Sequence, residues 1–388
     1  LWINLVKKMI YFDNAATTQT SQQAADAAMR AMRTQFGNPS SLHRLGIETE
    51  AILRDTRTQL AERLHADKGE FIFTSGGTEG NNLALFGAMM PHIRRGGHMI
   101  VSAVEHASVL EPARELARLG FRVTFLPPEE CTPDGVCAAL CEDTRLVSIM
   151  HVNNEVGAVQ PIAEVAALRD RLAPNAAIHV DGVQGFLRVP LNFNALKIQS
   201  YAFSGHKIHA SKGIGGLIFR KDHKLSPIVF GGGQEDNLRS GTENVPGIIG
   251  LGEAVRTYSQ GAAEKMMALK TRLLTDLQEA IPTAKRNGPA LDDPLCAPHI
   301  LSVSLSPVRS QTMLFALEGD GIYVSAGSAC AAHKQKVSGV LTAMGLSPAE
   351  ADCTLRFSLC PDNTEAEMDD VAQCVKKHYD LLKAYVRR

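Results

Sequence analysis

The chain has 388 residues, 45% of them apolar and 21% charged, with 40 basic against 41 acidic side chains. That is enough apolar material for one large domain and a smaller one, and the near-zero balance excludes the basic excess that nucleic-acid binding requires. No run is apolar and long enough to span a bilayer, and neither a CxxC pair nor a His/Cys grouping at zinc spacing occurs, so no membrane, nucleic-acid or metal partner is expected.

The opening "LWINLVKKMI" is mildly apolar and lacks a small-residue cleavage site, so Met9 is read as the start and the cytoplasm as the compartment. Most of the eight cysteines are then expected as buried thiols. Short apolar runs alternate with helical patterns from here to about residue 245, which marks an α/β fold with a largely parallel sheet. The first expected strand, "EFIFTS" (70–75), ends at Gly76-Gly77-Thr78, where a helix opens. Glycines admit close backbone approach and a helix start offers N–H groups, so the step suits a phosphate; a tight turn capped by Thr78 fits equally. "HMIVSA" (98–103) is followed by His106 and a helix over 108–120, and "RVTFLP" (122–127) by a loop. A lone histidine such as His106 is more often structural than catalytic.

"LVSIMHV" (146–152) ends at Asn153 and Asn154, which read as an Asx turn or as amides aimed at a hydroxyl or carboxylate. After a helix over 161–173, "AIHVD" (177–181) ends in Asp181, with Gln184 three residues on. Asp181 is either a helix cap or a costly buried carboxylate awaiting a cation, for which a protonated ring nitrogen is a good partner. "SYAFS" (200–204) leads through Ser204, Gly205 and His206 to Lys207, ahead of the strand "GGLIFR" (215–220). A lysine alone is usually a solvated surface residue; in a desolvated pocket near other cations its amine becomes nucleophilic, as a Schiff base requires. "GGGQEDNLRSGTENVP" (231–246) reads as an anion-binding loop or a flexible turn. Residues 245–281 read as one long helix, and the rest, with strands at "HILSVSL" (299–305) and "TLRFSL" (354–359), as α+β. The expected division is a large domain over 13–255 and a small one formed by 1–12 and 256–388.

Taken together, the strand ends describe a ligand with a phosphate, an aromatic nitrogen, a phenol-like oxygen and an aldehyde carbon, which is pyridoxal 5'-phosphate. Nearly the whole chain, from "YFDNAATT" (11–18) through "GNPSSLH", "FTSGGTE", "EHASVL", "HVNNEVG", "HVDGVQ", "SGHKIHASKGIG" and "SAGSAC" to "LRFSL" (355–359), resembles the cysteine desulfurases of the NifS/IscS type, in the class V aminotransferase group of fold-type I enzymes. The resemblance implies a large domain with a mostly parallel seven-stranded sheet and a smaller domain carrying a cysteine loop. It assigns the cofactor aldehyde to Lys207, ring stacking and proton movement to His106, the pyridinium to Asp181 and the ring oxygen to Gln184 and Asn154. Gly77, Thr78, Ser204 and His206 are the implied phosphate ligands. Thr242 is the implied ligand of a partner subunit's phosphate, hence a homodimer. Arg356, with Asn154 and Asn38, is implied to face the L-cysteine substrate, and Cys330 to receive its sulfur as a persulfide for an iron–sulfur scaffold or another acceptor protein. The spacing after Cys330 is similar to that of the long-loop subgroup, although "AAHKQKVSG" departs from its commonest form. A selenocysteine lyase or an aminotransferase is the nearest rival, the latter having no use for Cys330, and a non-enzymatic sulfur-binding protein the next.

Overall fold

The computed structural model describes residues 9–66, 71–326 and 338–385. Its strands, in chain order, are β1 (Ile10–Tyr11), β2 (Phe71–Thr74), β3 (His98–Ser102), β4 (Arg122–Leu126), β5 (Thr144–Met150), β6 (Ala177–Asp181), β7 (Ser200–Ser204), β8 (Gly215–Phe219), β9 (Lys285–Asn287), β10 (Ile300–Ser304), β11 (Ile322–Tyr323), β12 (Ser325–Ala326) and β13 (Thr354–Ser358). Two compact units result.

The larger unit takes Thr18–Val152 and Gln160–Tyr258. Its seven-stranded sheet has the order β2-β8-β7-β6-β5-β3-β4 and is parallel except for β8, which runs against both neighbours. All seven strands coincide with the apolar runs of the sequence. The pleat sends alternate side chains to opposite faces, so each run feeds two cores. Phe71, Phe73, Ile100, Val147, Ile178, Val180, Tyr201 and Phe203 enter one, and Ile72, Met99, Val101, Leu146, Ala202 and Leu217 the other. Each such large side chain contributes roughly 1.5–3 kcal/mol by leaving water. With the cores filled from both faces, the remaining polar strand residues collect at the strand ends, where the sheet is open to a ligand.

The smaller unit gathers the described residues of Leu1–Thr17, Asn153–Val159 and Ser259–Arg388. An antiparallel sheet of order β12-β13-β10-β9 forms its centre, and β1 pairs with β11 in parallel. In this sheet Arg356 stands opposite Ser302 on one side and Ser325 on the other.

The single helix expected over 245–281 is instead two, Val245–Thr257 and Ala262–Ala280. Tyr258 leaves the first helix with an extended ψ of 123°, and Gly261 enters the second at φ 77°, a left-handed conformation that glycine adopts without strain. Apolar periodicity runs on across this break, which is why the pattern alone reads through it. No helix among the described residues is long and apolar enough to cross a membrane.

Candidate active site

In the larger unit the polar ends of β2, β6 and β7 carry the candidate residues. β6 closes on Asp181, only 5% exposed. Its Oδ1 accepts the Val183 N–H (3.0 Å) and its Oδ2 accepts from Asn81 Nδ2 (2.9 Å). Both donors are neutral. Burial raises the Asp181 pKa, opposed by the Val183 N–H and by the positive potentials of His106 and Lys207. A cationic ring nitrogen would offset the same desolvation.

His106 caps the helix Ala107–Arg118, its Nδ1 accepting from the Ser108 N–H (3.1 Å) and lying 2.8 Å from Ser108 Oγ. Beside it Glu105 is buried. Its Oε1 accepts the Met150 N–H (2.5 Å), and Oε2 has no hydrogen-bond partner among the described residues. Burial, reinforced by the negative charge of Asp181, holds the Glu105 carboxyl well above the ordinary carboxylate range.

Lys207 ends a short turn, Gly205–Lys207, directly after β7. The Lys207 carbonyl accepts from Arg188 Nη2, and Arg188 Nη1 reaches Gln184 Oε1 at 3.2 Å. Arg188 is nearly inaccessible, so one buried guanidinium ties the lysine turn to the Asp181–Gln184 turn. The His206 carbonyl accepts from both N–H and Oγ of Thr18 (2.8 and 2.9 Å). Burial, and then the charges of Lys207, Lys212 and Arg188, lower the His206 pKa to about 4, so the ring is neutral at physiological pH.

The helix Gly77–Met89 begins after Gly76 (φ 154°) with no side-chain cap. A Cβ on Gly77 would meet Val183 Cγ2 at 2.4 Å, and one on Gly76 would approach Ser204 Oγ at 3.4 Å. Uncapped N–H groups, the positive end of the helix and the Ser204 hydroxyl therefore converge on a glycine-lined step. Thr78 is exposed on the first turn. The loop 231–246 is anchored: Glu235 is buried against Arg57 (2.5 Å) and the Phe73 N–H (3.0 Å), and Arg239 pairs with Glu79 (2.8 Å). Thr242 is exposed on it. Asn38 is also exposed, and its Oδ1 accepts the Ser40 N–H (2.9 Å).

In the smaller unit Arg356 is 4% exposed. Nη1 donates to the Asn154 carbonyl (2.8 Å) and Nη2 to Asp13 Oδ1 (2.9 Å), while the buried Nε makes no hydrogen bond among the described residues. Asn153 is the buried Asx-turn residue of the pair, accepting from Glu155 N and Val156 N (2.9 and 3.1 Å). Cys330 lies outside the described residues.

Sequence reasoning missed Asn81, Glu105, Asp13 and Arg188. The signal for Asn81 was its phase: Gly77, Gly80, Asn81 and Ala84 repeat at helical spacing and are all buried. The pairing of Asp13 with Arg356 joins positions 343 apart in the chain, for which one sequence gives no sign.

The family model described as "Aminotransferase class-V" matches residues 10–371. A protein of Dictyoglomus turgidum described as cysteine desulfurase IscS is 35% identical over 384 residues, 97% of this chain and 96% of its own. A solved NifS-like protein superposes with a TM-score of 0.89 at 34% identity, covering 96% of this chain and all of that one. SspA, solved in complex with cysteine, gives 0.79 at 32% identity, over 92% and 100% of the respective chains.

Proposed function

This chain belongs to the class V aminotransferases, and from that premise we propose that it is a cysteine desulfurase, taking sulfur from L-cysteine with the aid of pyridoxal 5'-phosphate and releasing L-alanine. The observation that carries the reading is the desolvated Asp181 carboxylate, held by neutral donors only, in the same strand-end cluster as Lys207 and the uncapped glycine step. The donor set fits the cofactor. Gly77, Thr78, Ser204 and His206 would hold its phosphate and Asp181 its ring nitrogen. His106 would lie against the ring, Gln184 and Asn154 would serve the ring oxygen, and Lys207 would hold the aldehyde carbon. When bound, the group supplies an electron sink for bonds breaking at the substrate α- and β-carbons.

The chain's own residues do the rest. Arg356 orients the substrate carboxylate, and its buried Nε is a donor without a hydrogen-bond partner among the described residues. Asn38 is a second substrate contact. Lys207 Nζ would take the substrate α-proton, and His106 would assist its delivery. The Cys330 thiolate attacks the substrate sulfur: an S–S bond forms, the C–S bond breaks with its electron pair left on the carbon fragment, and that fragment is protonated and leaves as alanine. The Cys330 persulfide then passes to an iron–sulfur scaffold or another acceptor protein. Thr242 serves a partner subunit's phosphate in a homodimer working in the cytoplasm.

The test is to incubate the enzyme with L-cysteine and measure alanine and transferred sulfur for the native chain and Cys330→Ala. The native chain should yield both and the variant no transferred sulfur; full transfer by Cys330→Ala would refute the persulfide role. Borohydride trapping followed by peptide mapping should put the pyridoxyl group on Lys207.

A further inference from the structure

Behind Asp181 lies a chain of neutral polar groups, each at least nine-tenths buried: Ser200, His179, Asn81 and Ser108. Ser200 Oγ is 2.9 Å from His179 Nδ1, and His179 Nε2 is 3.0 Å from Asn81 Oδ1. Asn81 Nδ2 is 2.9 Å from both Asp181 Oδ2 and Ser108 Oγ. Ser108 Oγ in turn is 2.8 Å from His106 Nδ1.

The proton positions follow by elimination. Asp181 is an acceptor, so the Asn81 amide must turn its NH2 toward it, which leaves Oδ1 facing His179. An amide oxygen cannot donate, so His179 Nε2 carries the proton. Burial lowers the His179 pKa to about 3, so the ring is neutral, and its bare Nδ1 accepts from the Ser200 hydroxyl. At the other branch Ser108 Oγ receives the second Asn81 proton and sends its own to His106 Nδ1. That nitrogen also accepts the Ser108 N–H, so the His106 proton sits on Nε2.

We propose that Asn81, oriented by His179 and Ser200, is a positioning residue that fixes the acceptor geometry of Asp181 and, through the Ser108 hydroxyl and together with the Ser108 N–H, biases the tautomer of His106. Reversing the Asn81 amide sets its oxygen against the Asp181 carboxylate and removes the donor that keeps the Ser108 hydroxyl pointed at His106. The two residues proposed to govern the cofactor ring are therefore coupled through one buried side chain hydrogen-bonded to Asp181, Ser108 and His179. The charged and titratable groups around Asp181 are His106, Lys207, Glu105 and Tyr201; the hydrogen bonds that orient the amide are instead those with His179, Ser108 and Asp181 itself. The inference rests on the proposed roles of Asp181 and His106, but the hydrogen-bond direction is testable without them.

The experiment uses the full-length protein in three forms: native, His179→Gln, whose side-chain NH2 can replace the Nε2 donor, and Asn81→Asp, which keeps shape and removes both amide donors. Nitrogen-15 NMR of histidine-labelled protein without cofactor reads the His106 tautomer. It should show protonated Nε2 in the native chain and His179→Gln, and a mixed or reversed tautomer in Asn81→Asp. In the cofactor-loaded enzyme Asn81→Asp should lower kcat on the order of 10- to 100-fold with KM for L-cysteine unchanged. The loss should deepen as pH rises and the introduced carboxyl ionises beside Asp181, and His179→Gln should retain most activity. An unchanged His106 tautomer and pH–rate profile in a folded Asn81→Asp overturn the inference. If Asn81→Asp does not fold, Ser108→Ala carries the NMR test alone: it removes the hydroxyl donor, and an unchanged Nδ1 shift refutes the coupling. Native NMR as expected with no desulfurase activity in any form would instead refute the functional reading and leave the hydrogen-bond direction standing.

Discussion

The two units meet charge in opposite ways. In the larger, the Asp181 carboxylate is buried among neutral donors, and burial raises its pKa; Glu105 nearby is as well buried, and its pKa is held well above the ordinary range. In the smaller, the Arg356 guanidinium is as well buried but already has a carboxylate, Asp13, on Nη2 and a carbonyl on Nη1. One region buries a carboxylate on neutral hydrogen-bond donors, with His106 and Lys207 acting on it through their potential, and suits a tightly held resident group. The other holds a charge satisfied within the protein, and suits a ligand that comes and goes by sharing that pairing.

Removing the amine tests this contrast most severely. Lys207→Ala should cost about 10³-fold or more in alanine formation, read by amino-acid analysis, because both covalent attachment and proton transfer are proposed to reside there; substantial turnover would show that the chemistry lies elsewhere. Arg356→Lys, which keeps charge but loses the planar fork, should lower kcat/KM about 10- to 100-fold through KM, and Asp13→Asn by less, since it only loosens the guanidinium. If kcat fell instead, the arginine would belong to the chemistry and the contrast would blur. Gly77→Ala places a methyl 2.4 Å from Val183 Cγ2 and should weaken cofactor affinity about 10-fold by equilibrium dialysis, leaving KM for cysteine untouched.

The smallest effect is on stability. Glu105 binds its proton more tightly folded than unfolded, so its stabilising contribution is full below the ordinary value of 4.5 and is lost as pH rises through the raised folded value. Glu105→Gln keeps an acceptor for Met150 N–H and has nothing to ionise. It should be more stable than the native chain by about 1–3 kcal/mol in alkaline urea melts, the gap closing toward acid. A gap that is constant with pH would mean that the carboxyl is not desolvated.

The sheet was legible because its strands are short β-branched runs stopped by Gly, Pro, Asn or Asp, and because burial on both faces leaves them few polar interruptions. Lys207, His106 and Asp181 stood out as candidates because each lies at or just beyond the end of such a run. What stayed hidden depends on phase or on distant pairing. Asn81 and Asn82 are chemically identical neighbours, yet one is buried under Asp181 and the other is bonded to the Thr78 carbonyl of its own helix. The break at Tyr258–Gly261 was hidden by periodicity that continues across it. Arg188 was passed over because nothing in the sequence marks that two turns close around it.

The reversed strand β8 has a mechanical corollary. Residues 205–214 join antiparallel neighbours, so the chain turns back at once instead of departing into a crossover. Stitches Gly205 N to Ile214 O (2.9 Å), Ile208 N to Gly205 O (2.9 Å) and Ala210 N to Gly205 O (3.1 Å) fasten that return, and Arg188 clips the carbonyl of Lys207. The root of the lysine is thus nailed down. Whatever arc its amine sweeps between holding a carbonyl carbon and collecting a proton is drawn by rotations about its own methylene tether, with the main chain as a fixed pivot.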